Sequence, residues 1–244
     1  MGEPSNPLMY ALGESALVIS WGNSISMEWN AKAIALTKAF LQKRFEGLVD
    51  IIPAYSSITI LFDPLIIKKE YCKTETAIEW VKQHAAELLG QMDTAISSEG
   101  FVVEIPVCYD EELKNDLAII SATMQIGKGE IIALHSGRNY HVYMPGFLPG
   151  FVYMGEVDVR IAIPRKEKPV PVKPGAVGIA GSQTGIYPTV SPGGWHIAGY
   201  TPVQLFDADN VTDPCLLHAG DTVQFVAICI DDFYKMKKEV AAWP

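Results

Sequence analysis

Residues 181–195, GSQTGIYPTVSPGGW, contain four glycines and two prolines among two aromatic side chains and five hydroxyl or amide side chains. This density of glycine and proline excludes a helix. Pro188 and Pro192 stiffen the backbone and so lower the entropy lost on binding, whereas Gly193 and Gly194 allow torsions closed to other residues. A loop that only joins strands needs no such stiffness. The stretch therefore predicts a preorganised recognition loop among β-strands.

The same stretch carries polar groups suited to a binding site. Gln183 and Tyr187 present an amide and a hydroxyl group to a small polar ligand, and we predict that both are catalytic. Thr184 and Ser191 add two further hydroxyls, and Trp195 adds a ring. The residues predicted to contact substrate or a partner here are Thr184, Ser191, Gly193, Gly194 and Trp195.

A second unusual segment, residues 135–165, places glycines beside aromatic side chains. A glycine lets backbone and ring faces approach a ligand where a Cβ would obstruct them. Phe147, Pro149, Phe151 and Tyr153 are therefore predicted to contact substrate or a partner. The alternative for each ring is a place in the core at a barrel corner.

The residues at the two ends of this segment are candidate catalytic residues. His135 ends a predicted helix, and histidine is the natural proton carrier near neutral pH, although it also complements a helix C-terminus. Arg165 follows Ile163 and Pro164, and its guanidinium can bind a carboxylate or phosphate in a bidentate manner. The alternative for Arg165 is a surface charge beside Lys166. We predict that His135 and Arg165 are catalytic.

The composition limits the class of protein. The chain has 244 residues, 49% of them hydrophobic, and a formal net charge of -9 from 28 acidic and 19 basic residues. This charge argues against a nucleic-acid backbone binder, and no window reaches the roughly 20 apolar residues that cross a bilayer. The start lacks a secretory signal, and the four cysteines form no CxxC pair for zinc. We expect a cytoplasmic protein with no metal site.

The hydrophobic pattern changes along the chain and predicts two domains of α+β class. In residues 1–93, helical stripes alternate with short strands, which predicts a small ferredoxin-like α+β domain. In residues 94–244, many short strand-like pieces, RIAIP at 160–164 among them, are separated by glycine and proline, which predicts a β-barrel. Neither a phosphate-binding GxxxxGK[ST] loop nor a GxSxG or HExxH motif is present.

Several of these segments resemble one known family. LHSGRNYHVYMPGFLPGFVYMG at 134–155, IPR at 163–165, GSQTGIYP at 181–188 and SPGGWHIAGYTPVQLFD at 191–207 resemble the family of KipI and the 5-oxoprolinase B subunit. The family is also known as allophanate hydrolase subunit 1 or as the carboxyltransferase family. The resemblance covers most of the chain and implies that the β-barrel is cyclophilin-like.

The resemblance also implies an activity and partners. Family members pair with a homologous KipA-like protein, the C subunit, and with a LamB/YcsF-like protein, the A subunit. The resulting ATP-dependent 5-oxoprolinase opens the lactam of 5-oxo-L-proline to give L-glutamate. Phosphorylation of the lactam oxygen would require cationic and hydrogen-bonding groups such as Arg165, Gln183, Thr184 and Tyr187, with His135 moving a proton. ATP is expected at a site shared with, or held by, the partner subunits.

The sequence departs from the family at two positions and leaves two other functions open. Val170 and Ala176 stand where the family often has arginine and serine, and Lys168 or Lys173 could compensate for the missing guanidinium. One alternative function is inhibition of a sensor histidine kinase, as the KipI name implies. The other is carboxyl transfer to urea or an amide, with biotin supplied by another chain.

Overall fold

The computed structural model describes residues 7–72, 74–92 and 101–241, the last three without their side chains. The chain forms two compact units, residues 1–98 and 99–244. The predicted domain boundary between residues 93 and 94 lies outside the described residues, so its position stays a prediction.

The first unit is a four-stranded antiparallel sheet with three helices. Its elements are β1 (Leu8–Ala11), β2 (Ala16–Ser20), α1 (Met27–Gln42), β3 (Leu48–Pro53), β4 (Ser57–Phe62), α2 (Pro64–Glu70) and α3 (Ala77–Gln91). The sheet order is β1-β2-β4-β3, and all its pairs are antiparallel. The order is ferredoxin-like, with one difference: the edge strand beside β2 comes from the N-terminal side of the unit instead of following the last helix.

Side-chain caps explain where the helices of this unit begin. The Ser26 hydroxyl accepts from the amide of Trp29 at the start of α1. The Asp63-Pro64 pair starts α2. The Asp63 carboxylate accepts two amide bonds there, and proline fits the first helical turn.

The second unit contains a closed barrel of seven strands, which confirms the predicted β-barrel. Its strand order is β10-β7-β6-β13-β5-β12-β9, closed by the pairing of β9 with β10. Strands β8 and β11 form a separate two-stranded ribbon. The elements are β5 (Val102–Cys108), α4 (Leu117–Met124), α5 (Lys128–Ser136), β6 (Asn139–Gly146), β7 (Leu148–Gly155), β8 (Val170–Val172), β9 (Ala176–Ala180), β10 (Gln183–Ile186), β11 (Ser191–Gly193), β12 (His196–Tyr200), β13 (Thr222–Ile228) and α6 (Ile230–Ala241).

Strands β5 and β13 form the one parallel pair among the described residues. They run in register from Val102 opposite Thr222 to Cys108 opposite Ile228. The first and last strands of the unit therefore lie side by side in the barrel wall, and the barrel closes only when both are present.

The helices of the second unit are short. Helices α4 and α5 turn the buried side chains Leu117, Ile120 and Ile131 towards the barrel core. Among the described residues, no single helix has the length and hydropathy to cross a bilayer. Helices α4 and α5 reach these criteria only as a pair, and they meet at a 100° bend.

One predicted strand of the barrel is wrong. The RIAIP segment overlaps a 3₁₀ turn, Val159–Ile161, instead of forming a strand. The Asp158 carboxylate accepts from the amide of Arg160 and favours this turn. The alternation of apolar residues in this segment was too short to distinguish a strand from a 3₁₀ turn.

Candidate functional site

A cavity of about 340 Å³ opens on the barrel unit. This volume is within the range of small-molecule sites. We call this cavity the aromatic pocket. The predicted site residues that line it are Phe147, Phe151, Tyr153, Arg165, Tyr187, Gly193, Gly194 and Trp195.

The walls of the aromatic pocket are interlocking rings centred on Phe151. The Phe151 ring centroid lies 5.0 Å from that of Tyr153, 5.4 Å from Tyr187 and 5.6 Å from Trp195, and each pair meets edge to face. Such geometry is the favoured one for aromatic pairs. Phe151, Tyr187 and Trp195 are buried, so the rings form a rigid wall.

Phe147 stands at the rim of the pocket in an unusual conformation. It joins β6 to β7, and its φ of 68° lies in the left-handed region that non-glycine residues rarely adopt. Phe147 is 57% exposed, and its ring meets those of Phe151 and Tyr187 in edge-to-face geometry. Backbone strain of this kind is concentrated at ligand sites. The turn thus holds an exposed ring over the pocket.

Gly193 allows the recognition loop to lie against Tyr187. A Cβ built on Gly193 would come within 2.7 Å of the Tyr187 hydroxyl oxygen and 2.6 Å of Val172. Only glycine fits this approach without displacing the ring. The predicted role of glycine beside an aromatic ring therefore applies here to the protein's own Tyr187.

Arg165 supplies a positive charge to the pocket. Its guanidinium carbon lies 5.8 Å from the centre of the Trp195 ring, and the side chain is exposed. Arg165 makes no ion pair with any described residue. Stacking on an indole positions a guanidinium while leaving its N–H groups free for an anion.

The Tyr187 hydroxyl is protonated at neutral pH. Burial raises the pKa of Tyr187 above its ordinary value of 10.0, whereas the backbone amide of Trp195 and the charge of Arg165 act in the opposite direction. The pocket therefore combines a neutral phenol with an exposed guanidinium.

Four lining residues were not among the predicted site residues: Lys166, Glu167, Pro169 and Pro192. Lys166 is not a free cation, because its Nζ lies 2.7 Å from Asp116 Oδ2, which also accepts from the amide of Ile197. This ion pair ties the segment after Arg165 to α4 and β12. The only sequence signal for Lys166 and Glu167 was their adjacency to Arg165.

Three predicted site residues lie away from the pocket lining. Gln183 starts β10, half-buried in the barrel wall opposite Gly155 and Ala180. Pro149 is exposed in β7. Ser191 is buried at the start of β11, and its Oγ has no hydrogen-bond partner among the described residues.

His135 and Thr184 lie inside the barrel unit and also do not line the pocket. Both are 0% exposed. His135 Nδ1 lies 2.8 Å from the Tyr109 hydroxyl, and its Nε2 lies 3.0 Å from Thr184 Oγ1. Since the Thr184 hydroxyl donates to the carbonyl of Gly178, it accepts from Nε2–H, and Nδ1 accepts from Tyr109. The histidine predicted as a proton carrier is placed as a buried structural group.

We expect His135 to make stability fall in acid. Burial lowers its pKa from 6.5 to about 3. Between these values the unfolded chain binds one more proton than the folded chain, so the free energy of unfolding decreases by about 1.4 kcal/mol for each unit that the pH falls. Above pH 6.5 this contribution is constant. Urea denaturation from pH 7 to pH 4 measures the slope.

The matched comparison for this slope is His135→Gln, which has no imidazole to titrate. The variant should be less stable at pH 7 and show a shallower decline with acid. If both proteins decline in parallel, His135 titrates at its ordinary pKa and the buried assignment is wrong.

The two departures from the family lie in different settings. Ala176 is fully buried with Phe151, Tyr187 and Trp195, so the change from serine alters packing behind the rings. Val170 lies on β8 opposite Gly193, at the side of the pocket. Lys168 and Lys173, predicted as substitutes, do not line the pocket.

Comparison with known proteins defines the class of this fold and pocket. The family described as "Carboxyltransferase domain, subdomain C and D" matches residues 7–217. The chain is 39% identical over 230 residues to the 5-oxoprolinase B subunit of Bacillus subtilis (strain 168), and the match covers 93% of this chain and 95% of that protein. The chain therefore belongs to the family of KipI and the 5-oxoprolinase B subunit, as its motifs predicted.

Solved structures agree with this fold. The crystal structure of TTHA0988 matches with a TM-score of 0.74 and 34% identity over 87% of this chain, which spans 40% of that longer protein. The Kluyveromyces lactis urea amidolyase matches with a TM-score of 0.72 over 98% of this chain and 16% of that protein. At 14% identity, this second likeness shows the fold alone.

Proposed function

We propose that the chain is the B subunit of an ATP-dependent 5-oxoprolinase, which hydrolyses 5-oxo-L-proline to L-glutamate. The observation that carries the proposal is the match to a 5-oxoprolinase B subunit along nearly the full length of both chains. The aromatic pocket supports it, because its volume and Arg165, its one cation without an ion pair among the described residues, suit a small, flat, anionic substrate.

In this proposal the pocket holds the substrate by its two ends. The Arg165 guanidinium pairs with the carboxylate of 5-oxo-L-proline, and the lactam packs against the aromatic wall to which Phe151 and Trp195 belong. Tyr187 is the neutral polar group beside the lactam amide. The rigid wall limits the orientations of the bound lactam, which lowers the entropy still to be lost in the reaction.

ATP supplies the driving force for opening the lactam, because an amide oxygen becomes a leaving group once it is phosphorylated. The aromatic pocket does not suit the triphosphate, because Arg165 is its only cation without an ion pair among the described residues. We therefore propose that ATP is held by, or shared with, two partners, a KipA-like protein and a LamB/YcsF-like protein. The reaction is proposed for the cytoplasm, where ATP is available.

Reconstitution tests this function. The chain combined with its KipA-like and LamB/YcsF-like partners, ATP and 5-oxo-L-proline should release L-glutamate and ADP in equal amounts, and omission of this chain should abolish release. Glutamate is measured with a coupled dehydrogenase. Well-folded proteins that form a complex but release no glutamate would refute the proposal.

The same assay separates the alternatives. Transfer of a carboxyl group to urea from an already carboxylated biotin carrier, without turnover of 5-oxo-L-proline, would assign carboxyl transfer instead. Inhibition of a sensor histidine kinase without any turnover would assign the regulatory function. That regulatory function stays a prediction.

A further inference from the structure

A second and larger cavity, of about 610 Å³, lies in the barrel unit and shares no lining residue with the aromatic pocket. Residues from the loops beside β8 and β12 line it together with residues of α6. Three lysines, Lys114, Lys173 and Lys237, face this cavity, and we call it the lysine cavity.

The charge of the lysine cavity contrasts with that of the whole protein. The chain has a net charge of -9, yet these three lysines converge on one depression with a single carboxylate, Glu112. Within the part of the chain that the structure describes, none of the three lysines forms an ion pair. Glu112 accepts a hydrogen bond from the Tyr234 hydroxyl at 3.2 Å. The cavity therefore presents an excess of unpaired ammonium groups, which attracts a multiply charged anion.

The walls of the lysine cavity are rings and prolines. Tyr200 and Phe233 are on its lining with Pro174 and Pro188, and Lys237 Nζ lies 5.7 Å from the Phe233 ring centre. Flat, rigid side chains of this kind suit a planar group, which stacks on aromatic faces. An ammonium group beside a ring can bind the charged part and the planar part of the same ligand.

The floor of the lysine cavity is rigid. Gly175, with a φ of 80°, donates to the carbonyl of Tyr187 at 2.8 Å, and its own carbonyl accepts from Thr201 at 2.8 Å. These bonds hold the loop that carries Lys173 against the end of β12. A preformed floor lowers the cost of binding.

We propose that the lysine cavity is a binding site for a phosphorylated small molecule with a planar ring, of the size of a nucleoside diphosphate. The lysines contact the phosphates, and the rings contact the planar group. This inference does not depend on the proposed function, since it concerns a different cavity and binding rather than turnover.

Calorimetric titration of the whole purified chain with three probes tests the proposal. The probes are ADP, pyrophosphate and adenosine, each without divalent cations. ADP should bind about tenfold more tightly than pyrophosphate, because stacking adds to the contacts with phosphate, and adenosine should bind more weakly than ADP. Absence of ADP binding at millimolar concentration, or equal affinity for ADP and pyrophosphate, would overturn the proposal.

Two variants locate the site. Lys173→Ala should weaken ADP binding about tenfold, because it removes one charged contact. Lys168→Ala removes the same charge from an exposed position that lines neither cavity, and it should leave binding unchanged. Equal losses in both variants would indicate non-specific attraction. A loss in Arg165→Ala without a loss in Lys173→Ala would place the ligand in the aromatic pocket. Either result contradicts the proposal.

Discussion

Replacement of Arg165 by alanine should lower kcat/KM for 5-oxo-L-proline in the reconstituted complex by about 100-fold. The guanidinium is the pocket's one cation without an ion pair among the described residues, and no other side chain of the lining can replace it. The measurement is glutamate release at several substrate concentrations. The free energy of unfolding should be unchanged, since Arg165 is exposed.

Two further variants make this result specific to the guanidinium. Arg165→Lys keeps the charge but not the planar, bidentate donor, so it should recover only part of the lost rate. Lys168→Ala, three residues away and outside the pocket, should retain the full rate. Full turnover by Arg165→Ala would remove Arg165 from the proposed mechanism.

Replacement of Gly175 by alanine should destabilise the barrel unit by about 4 kcal/mol or more, among the largest effects of a single substitution. The Cβ would lie 2.3 Å from the carbonyl oxygen of Thr201, and the φ of 80° is unfavourable for alanine. A shift that relieved this collision would strain the hydrogen bonds that join Gly175 to Thr201 and to Tyr187. Thermal and urea unfolding, monitored by tryptophan fluorescence, measure the loss.

Gly181 provides the matched control for this substitution. It also has a positive φ, 58°, but a Cβ built there meets no atom within 4 Å. Gly181→Ala should therefore cost only the backbone strain, about 1–2 kcal/mol. If both variants lose the same stability, the collision with Thr201 is relieved by movement and the predicted rigidity of this loop is wrong.

The sequence predicted much of the aromatic pocket because its residues come from three short, unusual segments. The turn around Phe147, the cation at Arg165 and the loop from Tyr187 to Trp195 were each visible as a local anomaly in composition. Local composition does not show which side of a strand a residue faces. Thr184 was therefore grouped with Tyr187, although the two lie three positions apart and Thr184 points into the barrel interior.

The surroundings of His135 could not be predicted for a related reason. Its position at the end of a helix was correct, but its partners Tyr109 and Thr184 are 26 and 49 residues away. Only the barrel topology brings these three groups together. Likewise, the lysine cavity joins Lys114, Lys173 and Lys237 from distant segments of the chain.

The parallel pairing of β5 with β13 has a consequence for biosynthesis. Strand β5 is translated more than a hundred residues before its neighbour at Thr222–Ile228. Until then its backbone amides and carbonyls on that side have no native partner, and an unpaired strand edge readily associates with other chains. Nascent chains that stall or terminate before β13 are therefore expected to depend on chaperones to remain dispersed.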